Sequence, residues 1–436
     1  NSNAILALVF DSSERGRAYS IPVVAARFGS LIGLALFGLF LQLGFIFPAF
    51  ESYGWRLVFL TSLPVGLLAI KNSWPLLKYN FQGVVEEAKA INIDYVGASL
   101  MVATLGVFIL SGLHIHDGAE ACFATASGMS AVFASLMCQL KSGDHVLSSR
   151  ALFGSCFHII DQILPRYGII TNLIDGTDNK EWEQNINKNT KCIFFETPSN
   201  PSMEIIDIQH VSNIAHQYGA MVIVDNIFAS PVLQKPIDFG ADVVVYSGTK
   251  HIDGQGRAMG GAVLSNNEFR EEYLKPFLRH TGPMISPFNA WILLKGLETL
   301  NYRMNQHCQN AVKIAEILCD YKIISKVIYP GLKTHPQFQL VQKQMLQAGS
   351  IVTFVINGGK ENAFKFMNAL EVFDISNNLG DTKSLATHPA TTTHRVIGEE
   401  GRKKLNIDDG MIRLSIGLED IQDLVEDIDQ ALVKIN

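Results

Sequence analysis

The chain has 436 residues, a formal net charge of −6, and 17% charged against 48% hydrophobic residues. This length allows two or three domains around a large core, and the mildly acidic balance excludes the basic surface of a nucleic-acid-binding protein. The apolar excess is concentrated in the first quarter, so the chain divides into two parts near residues 114–118.

Three long runs without charged residues distinguish residues 1–113. The runs 28–50 and 95–113 contain the about 20 apolar residues that a membrane-spanning helix needs, and the run 57–70 needs its neighbours to reach that length. The sequence therefore predicts a membrane-helix segment over 1–113, with membrane association through residues 22–113.

Charge and cysteine usage give conflicting predictions about the side of the membrane. Basic residues lie before the first run and between the second and third, so the positive-inside rule predicts that residue 114 onward is delivered to the outside. All six cysteines follow residue 114 without a CxxC pair, which indicates reduced thiols in a cytoplasmic protein. Either the third run does not insert, or a fusion or assembly artefact joins the two parts. We expect the later part to be cytoplasmic, and membrane-associated if the helices insert.

The later part alternates short apolar strands with amphipathic helices, which is typical of an α/β fold. Its first helix is predicted over 130–140, with Ser127 as the N-cap. The backbone N–H groups at Gly128 and Met129 have no partners within a helix and suit an anion such as a phosphate. Further on, Phe153 is either a core aromatic residue or a ring that stacks on a cofactor.

Two polar residues follow predicted buried strands. Asn200 lies in the loop after the strand 192–195, at the sheet edge where ligands bind in open α/β folds. Asp225 follows the strand 221–224, where it is either a turn or helix cap or the acidic partner of a protonated pyridine nitrogen.

Lys250 is the most informative residue of the chain. It follows the apolar strand 242–246 and the hydroxyl residues Ser247 and Thr249, which offer hydrogen bonds to a phosphate. A lysine at the end of a strand is usually a solvated surface residue when nothing accompanies it. Lys250 and Asp225 together form the pair that pyridoxal phosphate (PLP) needs, a lysine for the Schiff base and an aspartate for the pyridinium nitrogen. The sequence therefore predicts PLP as the cofactor, and no metal.

The predicted strand 411–415 carries a single arginine, Arg413, among apolar residues. Its planar guanidinium suits a substrate carboxylate through two hydrogen bonds, and the alternative is a structural salt bridge. The glycines of 254–256 do not follow a strand in the way a dinucleotide fingerprint requires, so a plain loop is predicted there.

The later part, from Gly118 to Asn436, resembles the Cys/Met-metabolism (transsulfuration) family of PLP-dependent enzymes. Within that family, SGTKHIDGQGR and SNNLGDTKSLATHPATTTH are most similar to the O-succinylhomoserine sulfhydrylase subgroup. The resemblance implies the aspartate-aminotransferase-like α/β fold (fold type I), with a large domain over 114–285 and a smaller C-terminal α/β domain over 286–436. Further matching segments are ATASGMSAV, SRALFGS, ETPSNPSMEIIDI, VIVDNIFASPVLQKP and GMIRLSIGLED.

The resemblance also implies a role for each matching residue. Lys250 holds the cofactor as a Schiff base and moves protons at Cα and Cβ of the substrate. Arg413 binds the substrate carboxylate, with Asn378 in the segment beside it. The implied cofactor contacts are Gly128, Met129, Ser247 and Thr249 at the phosphate, Phe153 stacked on the ring, Asn200 near the ring hydroxyl and Asp225 at the pyridine nitrogen.

The implied reaction is a γ-replacement on an O-acylated homoserine. O-succinylhomoserine and sulfide would give homocysteine and succinate, as a step of methionine biosynthesis. Cystathionine γ-synthase and methionine γ-lyase activities are the alternatives, because a few loop residues decide which sulfur compound or thiol reacts. The resemblance further implies a homodimer or homotetramer.

Residues 1–113 depart from this enzyme family. Their segments ERGRAYS, GWRLVFLTSLPVGLLAI and IDYVGASLMVATLGVFILSGL resemble a fragment of a major facilitator superfamily transporter. The enzyme family has an N-terminal arm in this place, whose Tyr-x-Arg pair reaches the phosphate of the neighbouring subunit, and residues 1–117 contain no such triplet. We therefore expect impaired cofactor binding, and a non-functional transporter–enzyme fusion is a further alternative.

Overall fold

A computed structural model describes residues 118–435 of the chain. The membrane-helix segment and the transporter resemblance predicted for 1–113 fall outside these described residues and stay predictions. Among residues 118–435, no helix combines the length and the apolar character that crossing a membrane requires.

Seven strands form the first sheet, in the order β1-β7-β6-β5-β4-β2-β3. Strands β2 to β6 run parallel, and β7 lies antiparallel between β1 and β6. Because parallel strands are covered on both faces, they are nearly continuous apolar runs, and all five residues of β6 are buried. The strands are β1 Ala121–Thr125, β2 His145–Ser149, β3 Ile170–Ile174, β4 Thr190–Glu196, β5 Met221–Asp225, β6 Val243–Ser247 and β7 Gly261–Ser265.

Seven α-helices accompany this sheet. The first begins at Gly128 rather than at the predicted residue 130, because the Ser127 side chain accepts a hydrogen bond from Ser130 N and caps the helix there. The helices are α1 Gly128–Met137, α2 Gly154–His158, α3 Asn179–Asn185, α4 Ile208–Gln217, α5 Ser230–Leu233, α6 Asn267–Phe269 and α7 Lys275–Thr281.

Five strands form the second sheet, in the order β10-β11-β12-β9-β8. Its pairs are antiparallel except for the short β10–β11 pair. The strands are β8 Ile324–Ile328, β9 Ile351–Ile356, β10 Asp374–Ile375, β11 Leu385–Thr387 and β12 Met411–Ser415. The remaining α-helices are α8 Pro287–Leu318, α9 Phe338–Gln344, α10 Gly359–Ala369, α11 Gly398–Lys404 and α12 Ile421–Val433.

Helix α8 spans 32 residues and lies in sequence between the two sheets. Its Arg303 is buried and donates hydrogen bonds to the carbonyl oxygens of His251 at 2.6 Å and Ile252 at 3.1 Å. The helix therefore supports the turn that carries Lys250. The predicted domain boundary at 285/286 lies directly before this helix and stays a prediction.

The local predictions for the strands near the site are confirmed. The strands predicted at 192–195, 221–224, 242–246 and 411–415 are present, each within two residues at either end. The loop over 254–256 is also confirmed, since its two glycines have φ angles of 68° and 63° and neither opens a helix. The α/β fold class predicted from the alternation of strands and helices is therefore correct.

Candidate active site

The carboxyl ends of β4, β5 and β6 meet at one edge of the first sheet. Glu196, Asp225 and Ser247 are the last residues of these strands, and Glu196 is paired with Asp225 in the sheet register. All three residues are more than nine-tenths buried. Parallel strands therefore collect two carboxyl groups and a hydroxyl group at the edge where open α/β sheets bind ligands.

The beginning of helix α1 lies against the end of β6. A Cβ atom on Gly128 would stand 2.7 Å from Ser247 Cβ, so only a glycine allows this close approach. The N–H groups of the first helical turn, including those of Gly128 and Met129, have no acceptor within the helix. Together with the Ser247 hydroxyl they offer hydrogen-bond donors suited to an anion.

Thr249 fixes the turn after β6 from the other side. Its Oγ1 accepts a hydrogen bond from Gly260 N at 3.2 Å, next to the start of β7. The hydroxyl groups of Ser247 and Thr249 thus stand on either side of Gly248, in the turn that leads to Lys250.

Lys250 lies in the turn over Gly248–Ile252, where its own φ of −92° and ψ of −128° interrupt the helical geometry. Its Nζ donates a hydrogen bond to Asn378 Oδ1 at 2.5 Å. Burial, together with the nearby positive charge of Arg413, lowers the pKa of Lys250 to about 8. A lysine with this pKa is readily available as a neutral amine.

Arg413 occupies the middle of β12 and is 1% exposed. One of its terminal nitrogens donates to Asn200 Oδ1 at 2.9 Å, and the other donates to the carbonyl oxygens of Asn377 at 3.1 Å and Asn378 at 3.0 Å. Its Nε is buried without a hydrogen-bond partner among the described residues. Burial lowers the pKa of Arg413 to about 10, and the carboxyl group of Glu196 opposes this change. A buried guanidinium without a carboxylate bonded to it is suited to binding one.

Asp225 has almost no contact with solvent. Its Oδ1 accepts a hydrogen bond from Ile227 N at 3.1 Å, and Cys156 Sγ lies 4.0 Å from its Oδ2. Burial raises the pKa of Asp225 to about 7, and the Ile227 N–H group acts in the opposite direction. A positive group placed next to Asp225 would therefore shift it to the anion.

Glu196 is a site residue that our sequence predictions did not include. Its Oε2 accepts a hydrogen bond from Phe153 N at 2.7 Å. Burial raises the pKa of Glu196, Asp225 raises it further, and the N–H groups of Phe153 and Asn200 together with Arg413 lower it. Its signal was the same as that of Asp225, an acidic residue at the end of a predicted strand.

The segment that carries Asn378 packs against the lysine turn. Gly380 has a φ of 74°, and a Cβ atom on it would stand 2.6 Å from His251 N, so both the backbone geometry and the space require glycine. Two residues later, Thr382 N donates to Gly254 O at 2.7 Å. The two segments that most resembled one enzyme subgroup are therefore in direct contact.

Six of the ten predicted site residues fall into two connected groups. Hydrogen bonds join Lys250, Asn378, Arg413 and Asn200, while Gly128 and Ser247 meet by close packing. Asn200 was expected near a ring hydroxyl, and in the structure its Oδ1 accepts a hydrogen bond from Arg413. The individual roles of these residues remain predictions.

Comparison with known proteins agrees with this geometry. The profile of the Cys/Met metabolism PLP-dependent enzyme family matches residues 111–433. An O-succinylhomoserine sulfhydrylase of Mycobacterium tuberculosis is 48% identical over 359 residues, which cover 81% of this chain and 88% of the relative. An L-methionine gamma-lyase of Fusobacterium nucleatum is 39% identical over 318 residues, 72% of this chain and 80% of the relative. The crystal structure of cystathionine gamma-lyase from Lactobacillus plantarum complexed with L-serine superposes with a TM-score of 0.71 and 33% identity, covering 73% and 83% of the two chains.

The chain is thus a PLP-dependent enzyme of fold type I. It belongs to the Cys/Met metabolism family. The residues fit the cofactor, since the close packing of Gly128 on Ser247, a lysine of lowered pKa and a buried aspartate occur at one sheet edge. The 359-residue match is longer than the described range 118–435, so the resemblance extends into the part of the chain before Gly118.

Proposed function

We propose that the chain catalyses a γ-replacement on an O-acylated homoserine, in which O-succinylhomoserine and sulfide give homocysteine and succinate. The observation that carries this proposal is that Lys250 and Arg413 are both hydrogen-bonded to Asn378. The lysine amine donates to the Asn378 side chain, and the carboxylate-binding guanidinium donates to the Asn378 backbone oxygen. The 48% identity to an O-succinylhomoserine sulfhydrylase supports the choice of substrate.

The cofactor would lie between the two carboxyl groups and helix α1. Bound PLP supplies an electron sink for the carbon atoms of the amino acid. Gly128 and Met129 offer backbone N–H groups to its phosphate, and Ser247 and Thr249 offer hydroxyl groups. Asp225 stands as the acidic partner of the ring nitrogen, and the Phe153 ring would cover one face.

The substrate would lie between Arg413 of the second sheet and Lys250, which follows β6 of the first. Arg413 binds the α-carboxylate, and its Nε, which has no hydrogen-bond partner among the described residues, is a free donor for it. The Lys250 Nζ removes the proton from Cα and then acts at Cβ, and a pKa of about 8 suits both the acceptance and the return of a proton. The Cγ–O bond to succinate breaks and a Cγ–S bond forms, so the atoms of O-succinylhomoserine and hydrogen sulfide are all accounted for in homocysteine and succinate.

Two alternatives have specific support. The 39% identity to an L-methionine gamma-lyase favours a related lyase activity, in which water and not sulfide completes the reaction. The apolar runs within 1–113 favour a non-functional fusion of a membrane segment to the enzyme part. Membrane fractionation of the whole chain tests the second alternative.

A sulfide-dependent homocysteine assay on the PLP-loaded whole chain tests the proposed function. We expect homocysteine from O-succinylhomoserine only when sulfide is present, and 2-oxobutyrate without sulfide would favour the lyase. Lys250→Ala should lose the PLP absorbance and at least about 1,000-fold of the rate. Lys313→Ala, on the exposed side of α8, is the matched control and should leave both unchanged. Full turnover in Lys250→Ala would contradict the proposal.

We also propose that this chain binds PLP more weakly than a protein with the Tyr-x-Arg pair. Residues 1–117 contain no such triplet, and an arginine–phosphate hydrogen bond is a strong charge-assisted contact. Fluorescence titration of the cofactor-free chain with PLP measures the affinity. A submicromolar dissociation constant would contradict weak binding.

An exposed apolar face supports self-association into a homodimer or homotetramer, which we propose as the assembly. Its members are Met259, Met284, Phe288 and Trp291, with exposed fractions of 62%, 56%, 62% and 44%. The rings of Phe288 and Trp291 lie 6.1 Å apart between centroids, and exposed apolar clusters mark interaction surfaces. Light scattering should give at least twice the chain mass, and Phe288→Ser should reduce it, whereas Val433→Ser on the exposed side of α12 should not.

A further inference from the structure

His251 lies directly after Lys250 and is 1% exposed. Its Nδ1 lies 3.2 Å from Ile227 O, and its Nε2 lies 2.8 Å from Ser350 Oγ. Both ring nitrogens therefore have partners, and the two partners belong to different sheets. Ile227 follows the first sheet's β5, and Ser350 directly precedes β9 of the second.

The partners determine the protonation state of this ring. A carbonyl oxygen only accepts hydrogen bonds, so Nδ1 carries the proton and donates to Ile227 O. In a neutral imidazole Nε2 is then an acceptor, and the Ser350 hydroxyl donates to it. Burial lowers the pKa of His251 to about 3, with contributions from His307, Arg303 and Lys250, so the ring stays neutral near pH 7.

Each partner of His251 is linked by a backbone hydrogen bond to a segment that carries a residue of the proposed mechanism. Ile227 N donates to Asp225 Oδ1 at 3.1 Å. Ser350 O accepts from Ile416 N at 2.9 Å, three residues after Arg413 on the continuation of β12. One neutral imidazole thus connects the lysine turn, the aspartate loop and the strand pair that carries the arginine.

We propose that His251 is a positioning residue that fixes the separation between Lys250 and Arg413 by tying the lysine turn to the beginning of β9. This inference rests on the function proposed above. An amino acid substrate has to reach the amine and the guanidinium at once, whereas PLP does not depend on Arg413. The His251–Ser350 bond should therefore affect substrate binding more than cofactor binding.

Steady-state kinetics of Ser350→Ala in the PLP-loaded whole chain tests this inference. The variant removes the bond between the sheets and keeps the bond from His251 to Ile227. We expect KM for O-succinylhomoserine to rise about fivefold, with kcat and the PLP absorbance within twofold, because one neutral hydrogen bond is lost. His251→Asn should raise KM similarly, and adding Ser350→Ala to it should change little more, since both remove the same bond. Ser325→Ala, an exposed serine on β8, is the matched control and should leave KM unchanged.

An unchanged KM in Ser350→Ala, or equal losses in kcat and PLP absorbance, would overturn the inference. A second measurement does not depend on catalysis. Nitrogen-15 NMR of the histidine rings in the cofactor-free chain should show His251 neutral, with its proton on Nδ1, between pH 6 and 8. A proton on Nε2, or titration near pH 6.5, would refute it. Failure of wild-type turnover with the expected NMR result would instead count against the proposed function alone.

Discussion

The two sheets contribute to the candidate site in different ways. The parallel sheet places Glu196, Asp225 and Ser247 at the last positions of three strands, where loops begin. The antiparallel sheet places Arg413 in the middle of β12, with Thr387 and Thr353 paired to it on either side. A side chain at the end of a strand can be held in position by the N–H groups of the following loop, which can shift. A side chain in the middle of a strand is fixed by the hydrogen bonds to the two neighbouring strands. We therefore expect the cofactor side to tolerate conservative changes better than the carboxylate side.

Replacement of Arg413 should have the largest effect. Arg413→Lys keeps the charge but loses the planar arrangement of two donors, so we expect kcat/KM to fall roughly 100-fold while PLP absorbance is retained. Steady-state kinetics and absorbance spectra measure the two quantities separately. Arg279→Lys, an exposed arginine in α7, is the control and should show neither change. A loss of less than about threefold in Arg413→Lys would remove the distinction between the sheets.

A change of pH should have the next largest effect, through the rate at which the chain binds PLP. Burial stabilises the neutral amine of Lys250 and lowers its pKa to about 8, so the reactive form increases as the pH rises towards 8. The rate at which the cofactor-free chain takes up PLP should increase up to about tenfold per pH unit below 8 and level off above it. Stopped-flow absorbance measures this rate. A midpoint near 10.5, the ordinary lysine value, would contradict a buried Lys250.

Replacement of Glu196 should have the smallest effect of the three. It tests how well the end of a parallel strand in the first sheet tolerates a conservative change. Glu196→Ala leaves the buried Phe153 N–H group without its acceptor, and we expect PLP affinity to fall about tenfold. Glu196→Gln keeps an acceptor of the same shape, so its affinity should stay within about twofold. Fluorescence titration with PLP measures both. A larger loss in the glutamine variant would show that the charge of Glu196, and not its hydrogen bond, supports the site.

The strands and the identity of the cofactor could be predicted because their signals are local. Apolar runs predicted β4, β5, β6 and β12. The first three end beside polar residues that the structure places in the site, and Arg413 lies within the fourth. Lys250 was informative because a strand end, two hydroxyl residues and a lysine follow one another within a few positions.

The contacts between distant segments could not be predicted in the same way. Arg413 and Asn200 are 213 positions apart, and His251 and Ser350 are 99 positions apart. No periodicity or spacing reports such a pair, since it depends on how the second sheet lies against the first. Glu196 shows a different limit of sequence-based prediction. Its position at the end of a strand could be seen in the sequence, but its burial beside Asp225 depends on the register of β4 and β5.

Asn378 contacts Lys250 and Arg413, the two positive groups of the site, through different atoms. Its side-chain oxygen accepts from Lys250, and its backbone oxygen accepts from Arg413. Mutation replaces a side chain but leaves a carbonyl group in place. Substitutions at position 378 can therefore tune the basicity of the lysine during evolution or engineering, while the anchor for the arginine is inherited unchanged.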